Sequence, residues 1–256
     1  NPTGPLHLGH TRWAAVGDAI ARVLAAAGAD VVREFYVNDR GVQMDRFGAS
    51  LQATALGRPV PEDGYHGGYV VELAAAILAA DPGIMDLPPA EQAVAFREAG
   101  HDRQLAQQRE VLALFRSHFD VWYSERTLHE SGAVERGLAR LVEQGHVFED
   151  GGATWLRTTD FGDDKDRVLV KADGEYTYFA SDTAYYVDKR ARGFDLCIYL
   201  LGADHHGYVN RLRAVAACAG DDMDANIEVL IGQLVKITRG GEEVRLSKRA
   251  GTIVTL

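Results

Sequence analysis

Cysteine is scarce in this chain of 256 residues: there are two, Cys197 and Cys218, and they lack C-x-x-C spacing. That argues against a disulfide framework or a cysteine-built zinc site, and both thiols are expected to be buried, in a strand and a helix, in a reducing cytosol. Long apolar runs are also missing. None approaches the ~20 residues that span a bilayer, so no membrane helix is expected, and an Ala-rich stretch such as Leu73–Ala80 reads as a helix face. No charged-then-apolar leader is present, which makes the cytoplasm the expected location. Positive charge is in deficit: 27 Lys and Arg against 37 Asp and Glu leave a formal charge of −10. This disfavours a surface that grips nucleic acid over its whole extent, though a local basic patch or a cationic small substrate remains compatible with it. There is no internal repeat and no low-complexity tract. An apolar fraction of 46% and a charged fraction of 25% are those of an ordinary globular protein, and the length suffices for a sizeable core.

What is there begins with Asn1-Pro-Thr-Gly-Pro-Leu-His-Leu-Gly-His10. Turn formers lead into His7 and His10 around Gly9. Then Trp13, Val16, Ile20, Val23 and Leu24 recur at helical spacing. Two imidazoles at the mouth of a helix, where unpaired N–H groups and the helix dipole favour an anion, suit phosphate, and Gly9 would let a ligand approach the backbone. An ordinary loop with a capping histidine fits the same residues about equally well.

Past Gly28, Val31–Val37 reads as a strand, and loop, helix, strand is the start of a doubly wound α/β sheet. The polar turn Asn38–Gln43 stands at that strand's carboxyl end, where such sheets collect ligands, although an Asn-Asp cap for the next helix explains it as well. Helical patterns over Met44–Leu56, Tyr69–Ala80 and Pro89–His118, with no convincing strand, predict a helical insertion. The α/β rhythm then returns. It comprises a strand at Val121–Tyr123, a helix at Ala133–Glu143, a hairpin across Asp150-Gly151-Gly152 and a strand at Val168–Lys171. A helix follows from Thr183, then an apolar parallel-type strand at Asp195–Leu201, a helix at Tyr208–Ala219, a strand at Ile227–Ile231, and a hairpin at Gly240-Gly241. The expected organisation is 1–43 as a first half-sheet, 44–119 as the helical insertion, and 120–256 as the second half with a Ser-Lys-Arg loop near its end.

Together, His7-Leu-Gly-His10 and Leu246-Ser-Lys-Arg249 resemble the two sequence marks of class I aminoacyl-tRNA synthetases. Either alone is weak; the pair in this order is specific. Asn1-Pro-Thr-Gly-Pro, Tyr36-Val-Asn-Asp-Arg-Gly-Val-Gln43, Phe161-Gly-Asp-Asp-Lys-Asp-Arg167, Gly202-Ala-Asp-His-His-Gly-Tyr208 and Leu246-Ser-Lys-Arg-Ala-Gly251 resemble the arginyl-tRNA synthetase family in particular. The resemblance covers essentially the whole chain. It implies a Rossmann-type, HUP-like catalytic core, expected to lack the family's N-terminal and anticodon-binding domains.

The resemblance implies activation of L-arginine by ATP and its transfer to tRNA(Arg). The arginine carboxylate would attack the α-phosphorus in line. That reaction needs positioning and charge stabilisation rather than a covalent nucleophile. His7, His10 and Lys248 would be catalytic. Gly9, Gly202, Asp204, Gly232, Gln233, Leu234 and Ser247 would bind ATP, which would bring its own Mg2+; no protein-bound zinc is expected. Asn1 would hold the polar end of arginine, Tyr178 and Asp182 its guanidinium, and His205 would line that pocket, a structural role for both His205 and His206 being the alternative. A planar guanidinium suits a carboxylate with an aromatic companion, yet Asp182 serves equally as the N-cap of a helix beginning at Thr183. Lys248 taken alone is an ordinary loop cation. Arg245 and Leu246 depart from the usual Lys-Met opening of the C-terminal loop. A monomer is the family expectation, as is a need for bound tRNA during activation. Two other readings stay open: a synthetase-like ligase with a different amino acid or a small-molecule acceptor, and a non-catalytic arginine-sensing paralogue.

Overall fold

The computed structural model describes residues 1–233, 235–244 and 255–256. In chain order the elements are α1 (Thr11–Ala26), β1 (Glu34–Val37), α2 (Val42–Ala55), α3 (Gly68–Ala80), α4 (Pro89–Leu114), β2 (Val121–Ser124), α5 (Glu125–Glu130) and α6 (Ala133–Glu143). Then come β3 (Val147–Asp150), β4 (Ala153–Leu156), β5 (Arg167–Val170), α7 (Tyr178–Ala191), β6 (Cys197–Gly202), α8 (Tyr208–Cys218), β7 (Ile227–Gly232), β8 (Ile237–Arg239) and β9 (Glu242–Val244). They form two compact units, 1–124 with 235–256, and 125–234.

In the first unit β1 and β2 pair in parallel, with Glu34 opposite Val121 and Val37 opposite Ser124. Phe35 stacks on Trp122 at 4.5 Å between ring centroids. The strand is shorter than the expected Val31–Val37. The Arg33 N–H donates to the Asp120 carboxylate (2.8 Å), and the Arg33 carbonyl accepts from Asp120 and Val121, so the ladder begins only at Glu34. Parallel strands need a long crossover, and here it is α2–α4. These helices bury a core of their own around Met44, Phe47, Leu51, Tyr65, Val70, Ile77 and Phe96. Two glycines let α2 and α4 approach. A Cβ on Gly48 would stand 2.6 Å from the Ala93 carbonyl oxygen, and one on Gly100 would stand 2.5 Å from a Leu51 methyl.

The second unit holds an antiparallel sheet, β3-β4-β5, and a second parallel pair, β6 with β7, matched from Cys197 opposite Ile227 to Gly202 opposite Gly232. Its crossover is α8. Helices α6 and α7 touch closely at Gly137, where a Cβ would lie 2.8 Å from the Ala184 Cα. Leu128, Leu141, Leu156, Leu169 and Tyr186 are fully buried. The Tyr186 hydroxyl donates to Asp221 (2.8 Å), and Arg190 clasps the same carboxylate at 2.9 and 3.1 Å. Such charge-assisted, two-pronged pairs fix geometry as well as adding stability. The chain thus has α/β content with parallel strand pairs. No helix among the described residues is long and apolar enough to cross a membrane.

Candidate active site

In the first unit, Pro2–Leu6 is a buried loop that enters a 3-10 turn, Leu8–His10, and then α1. The turn is closed by its own histidines. The Gly9 N–H donates to His7 Nδ1 (3.0 Å), and the His7 N–H donates to His10 Nδ1 (3.1 Å). The two rings stack at 3.8 Å. Because both Nδ1 atoms accept, each neutral ring carries its proton on Nε2 and presents an N–H donor there. His10 is the N-cap residue of α1 but makes no side-chain cap bond to it, which leaves the dipole of that helix end uncompensated by an acidic or hydroxyl cap. Gly9 has a further reason beside the one expected. A Cβ there would lie 2.7 Å from His7 Cε1, so it is the His7 ring that occupies the space beside the glycine.

Asn1 is exposed, and its side-chain amide donates to Gln43 Oε1 on α2, which links two of the strings singled out in the sequence. Asp39, from the same polar turn as Gln43, is buried. It accepts from the Ser124 hydroxyl (2.6 Å) and faces His101 Nε2 at 3.5 Å. Leu256 and Thr255 return to this loop: the Leu256 N–H donates to the Leu6 carbonyl (3.0 Å), and Thr255 bridges His7. Leu234, Ser247 and Lys248 lie outside the described residues, as does the side chain of Asp204.

In the second unit Gly202 and Gly232 are register partners at the carboxyl ends of β6 and β7, the edge at which parallel sheets bind ligands. Gln233 follows directly, and Ala203–His205 forms a 3-10 turn, so these ATP candidates cluster. His205 is exposed and packs edge-on against Tyr208 at 5.5 Å.

Tyr178 and Asp182 are one turn apart on α7, hence on one face. The helix begins earlier than expected, at Tyr178. Thr177 is the cap, its hydroxyl accepting from the Ala180 N–H (3.3 Å) while donating to the Val168 carbonyl (2.7 Å). Asp182 is therefore no N-cap, and a capping role does not account for it. Its carboxyl is half-buried and, among the described residues, has no hydrogen-bond or ion-pair partner. Burial, reinforced by the negative charge of Glu125 and only partly offset by Arg211, pushes its pKa up to about 7. Tyr178 is 75% exposed, its ring open to a ligand.

Glu125 was not singled out in the sequence. It is buried at the start of α5 and contributes a second carboxylate to the surroundings of Asp182. The one available signal was its place immediately after a strand's last residue. Helix α5 is held to α7 by His129, whose Nε2 lies 3.0 Å from the Ser181 hydroxyl. Two neighbouring carboxylates can accept hydrogen bonds from an organic cation, and a guanidinium carries five N–H donors to give.

The string Phe161–Arg167 is built differently. Arg167 grips Asp163 with two bonds of 2.8 Å and also pairs with Asp164, while Asp166 accepts from the Thr159 N–H (3.1 Å) and hydroxyl (2.8 Å). Asp163, Asp164 and Arg167 are paired within the string, so this part of it shapes the fold.

A profile of the class I tRNA synthetase (R) catalytic domain matches residues 1–58 and 107–256. Arginine–tRNA ligases of Paenarthrobacter aurescens and Frankia alni are each 59% identical over all 256 residues, which amount to 46% of either relative. The chain thus spans about half the length of the curated relatives it matches. A solved structure from Campylobacter jejuni, described as a candidate arginyl-tRNA synthetase, superposes with a TM-score of 0.88 at 33% identity, over 100% of this chain and 56% of that one. The Thermus thermophilus arginyl-tRNA synthetase superposes with a TM-score of 0.66 at 24% identity, over 91% and 47%, and supports the fold.

Proposed function

The chain belongs to the class I arginyl-tRNA synthetase family, and from that premise we propose that it carries out ATP-dependent activation of L-arginine and transfer of the arginyl group to tRNA(Arg). The observation that carries the substrate assignment is Asp182, a half-buried carboxylate with no partner among the described residues, one turn from an exposed Tyr178 and electrostatically coupled to Glu125. Removing a charge from water without pairing it is costly, and a bound guanidinium removes that cost. Lysine, with a compact ammonium, satisfies two carboxylates less well.

In this proposal His7 and His10 donate through Nε2 to ATP phosphate oxygens, with Gly9 allowing the ring arrangement. Lys248 neutralises charge on the departing pyrophosphate and Ser247 hydrogen-bonds ATP; Thr255, which follows them in the sequence, bridges His7. Gly202, Asp204, Gly232, Gln233 and Leu234 hold the nucleoside. Asn1 holds the polar end of arginine, and His205 lines the amino-acid pocket. An arginine carboxylate oxygen bonds to the α-phosphorus while the bond to the β-phosphate oxygen breaks, giving arginyl-adenylate and pyrophosphate. The tRNA terminus then attacks the arginyl carbonyl and AMP leaves. Magnesium arrives with ATP and no zinc is bound. The finer architecture belongs to the same proposal: a doubly wound sheet with 1–43 and 120–256 as its halves and 44–119 as a helical insertion. Its support is the separate core of α2–α4 and the interval that the family profile leaves unmatched. The protein acts as a cytoplasmic monomer.

ATP–pyrophosphate exchange by the full-length protein, with a panel of amino acids and with or without tRNA, tests the proposal. Exchange supported by arginine alone, and dependent on tRNA, is the expected result. Exchange with another amino acid identifies a different specificity, and none with any of them identifies a non-catalytic paralogue.

A further inference from the structure

Among the buried polar side chains of the helical stretch, Gln108 on α4 stands out, because both N–H bonds of its amide leave the stretch. It is 2% exposed, and its Nε2 donates to the Asn1 carbonyl (3.2 Å) and the Gly4 carbonyl (2.9 Å). An amide NH2 has two donors, so its whole donor capacity is spent on the loop that opens the chain. From α3, the Tyr69 hydroxyl donates to the Thr3 carbonyl at 3.0 Å. Burial, reinforced by Tyr65, pushes the Tyr69 phenol pKa up, which keeps the hydroxyl protonated as a donor. The carbonyls of Asn1, Thr3 and Gly4 are thus all bonded by side chains from two helices. Tyr69 falls within the interval that the family profile leaves unmatched, and Gln108 comes just after it.

A surface-filling insertion has no need to direct buried donors at a loop. The carbonyls of buried Thr3 and Gly4, in a Pro- and Gly-containing turn, do not pair within a helix or sheet, and each left unbonded is costly. The donors therefore decide where the turn sits, and Asn1 is its first residue. His7 and His10, further along, have their own closure through the paired Nδ1 bonds and the Thr255 bridge.

Taking the arginine-ligase reading as given, we propose that Gln108, assisted by Tyr69, is a positioning residue for the amino-acid end of the substrate: the helical stretch sets the placement of Asn1 through the backbone of its loop. Gln108 touches no reacting atom and acts through Asn1.

Gln108→Met keeps the volume and deletes both donors. In the full-length protein, assayed by pyrophosphate exchange, it is expected to raise the arginine KM 10-fold or more while the ATP KM stays within about threefold. In an Asn1→Ala background the same substitution is expected to change the arginine KM less than twofold, because the residue it positions is gone; a general loss of structure would instead add in full. Tyr69→Phe, which removes one hydroxyl, is expected to give the same pattern at three- to fivefold, and it carries the test if Gln108→Met fails to fold. An unchanged arginine KM, equal losses for arginine and ATP, or full additivity with Asn1→Ala would overturn the inference. A wild-type protein inactive with arginine would instead overturn the functional reading.

Discussion

Asp163 and Asp182 belong to the same unit, and both are withdrawn from water, but they end in opposite states. Burial alone would raise the Asp163 carboxyl. Arg167, gripping it with two bonds of 2.8 Å, and hydrogen bonds from Asp164 and Thr158 overcome that and hold its pKa well below the usual carboxylate range. At Asp182 burial meets no such partner, a second carboxylate adds to it, and the pKa rises to about 7. Asp163 stands in an acidic string, with Asp160, Asp164 and Asp166 beside it, while Asp182 is the one acidic residue of its stretch; both stretches belong to the resemblance. The difference is whether the fold supplies the counter-charge. Where it does, the carboxylate stabilises the fold; where it does not, the carboxylate is the one proposed above to take a charge from outside.

The largest expected effect is on substrate use. Asp182→Ala is expected to lower arginine-supported exchange by about 10⁴-fold, the lower end of the range set by unpairing a site built for specific hydrogen bonds, with the ATP KM within twofold. Equal losses in both substrates would place the guanidinium elsewhere. Asp163→Ala should do the reverse. It strips the nearly buried Arg167 of its two-bond partner and leaves it only the exposed Asp164, costs about 3 kcal/mol of stability, and lowers Tm by about 6–12 °C; where the protein remains folded, the arginine KM is expected to be unchanged.

The pH dependences sharpen the contrast. In the proposed site the guanidinium binds the ionised Asp182, so the arginine KM is expected to rise as pH falls below about 7, approaching tenfold per pH unit. For stability the signs are opposite. A carboxyl whose folded pKa is raised destabilises the fold progressively as pH climbs from the unfolded value of about 3.9 towards about 7. Asp182→Asn should therefore raise Tm at pH 8 and do little at pH 4. Asp163, with its pKa depressed, contributes stability above the unfolded value, and that contribution is lost as pH falls through its folded pKa. Comparing the thermal melts of the two Asp→Asn variants across this range checks both signs. Smaller again is Gly48→Ala, where a methyl meets the Ala93 carbonyl oxygen at 2.6 Å. Overpacking of this kind costs about 1–3 kcal/mol, measurable by denaturant titration, with arginine specificity unchanged.

Much of the fold was legible, because periodicity and turn chemistry are local. The helix Ala133–Glu143, the Gly151-Gly152 hairpin and the strand-free helical stretch all stand where their patterns predict. Asp182 was misjudged as a possible cap because Ser181-Asp182-Thr183 contains three residues with good capping chemistry. Thr177 won because its hydroxyl also bonds Val168 on β5, a partner that sequence spacing does not reveal. At Gly9 the spacing suggests a place for a ligand but not the His7 ring that its lack of a side chain also accommodates. Glu125 and Gln108 were invisible for a shared reason: each acquires its surroundings from an element distant in sequence, α7 for one and the opening loop for the other. The phosphate, nucleoside and guanidinium roles of the individual residues come from resemblance and chemistry together, and the site variants above are what test them.

The most direct test is a carboxyl 13C NMR titration of Asp182 in the full-length protein, with and without saturating arginine. A pKa near 7 in the free protein, falling below the ordinary Asp value of about 3.9 when arginine is bound, is the result expected of a carboxylate reserved for the substrate. A value that stays the same with and without arginine would contradict the account.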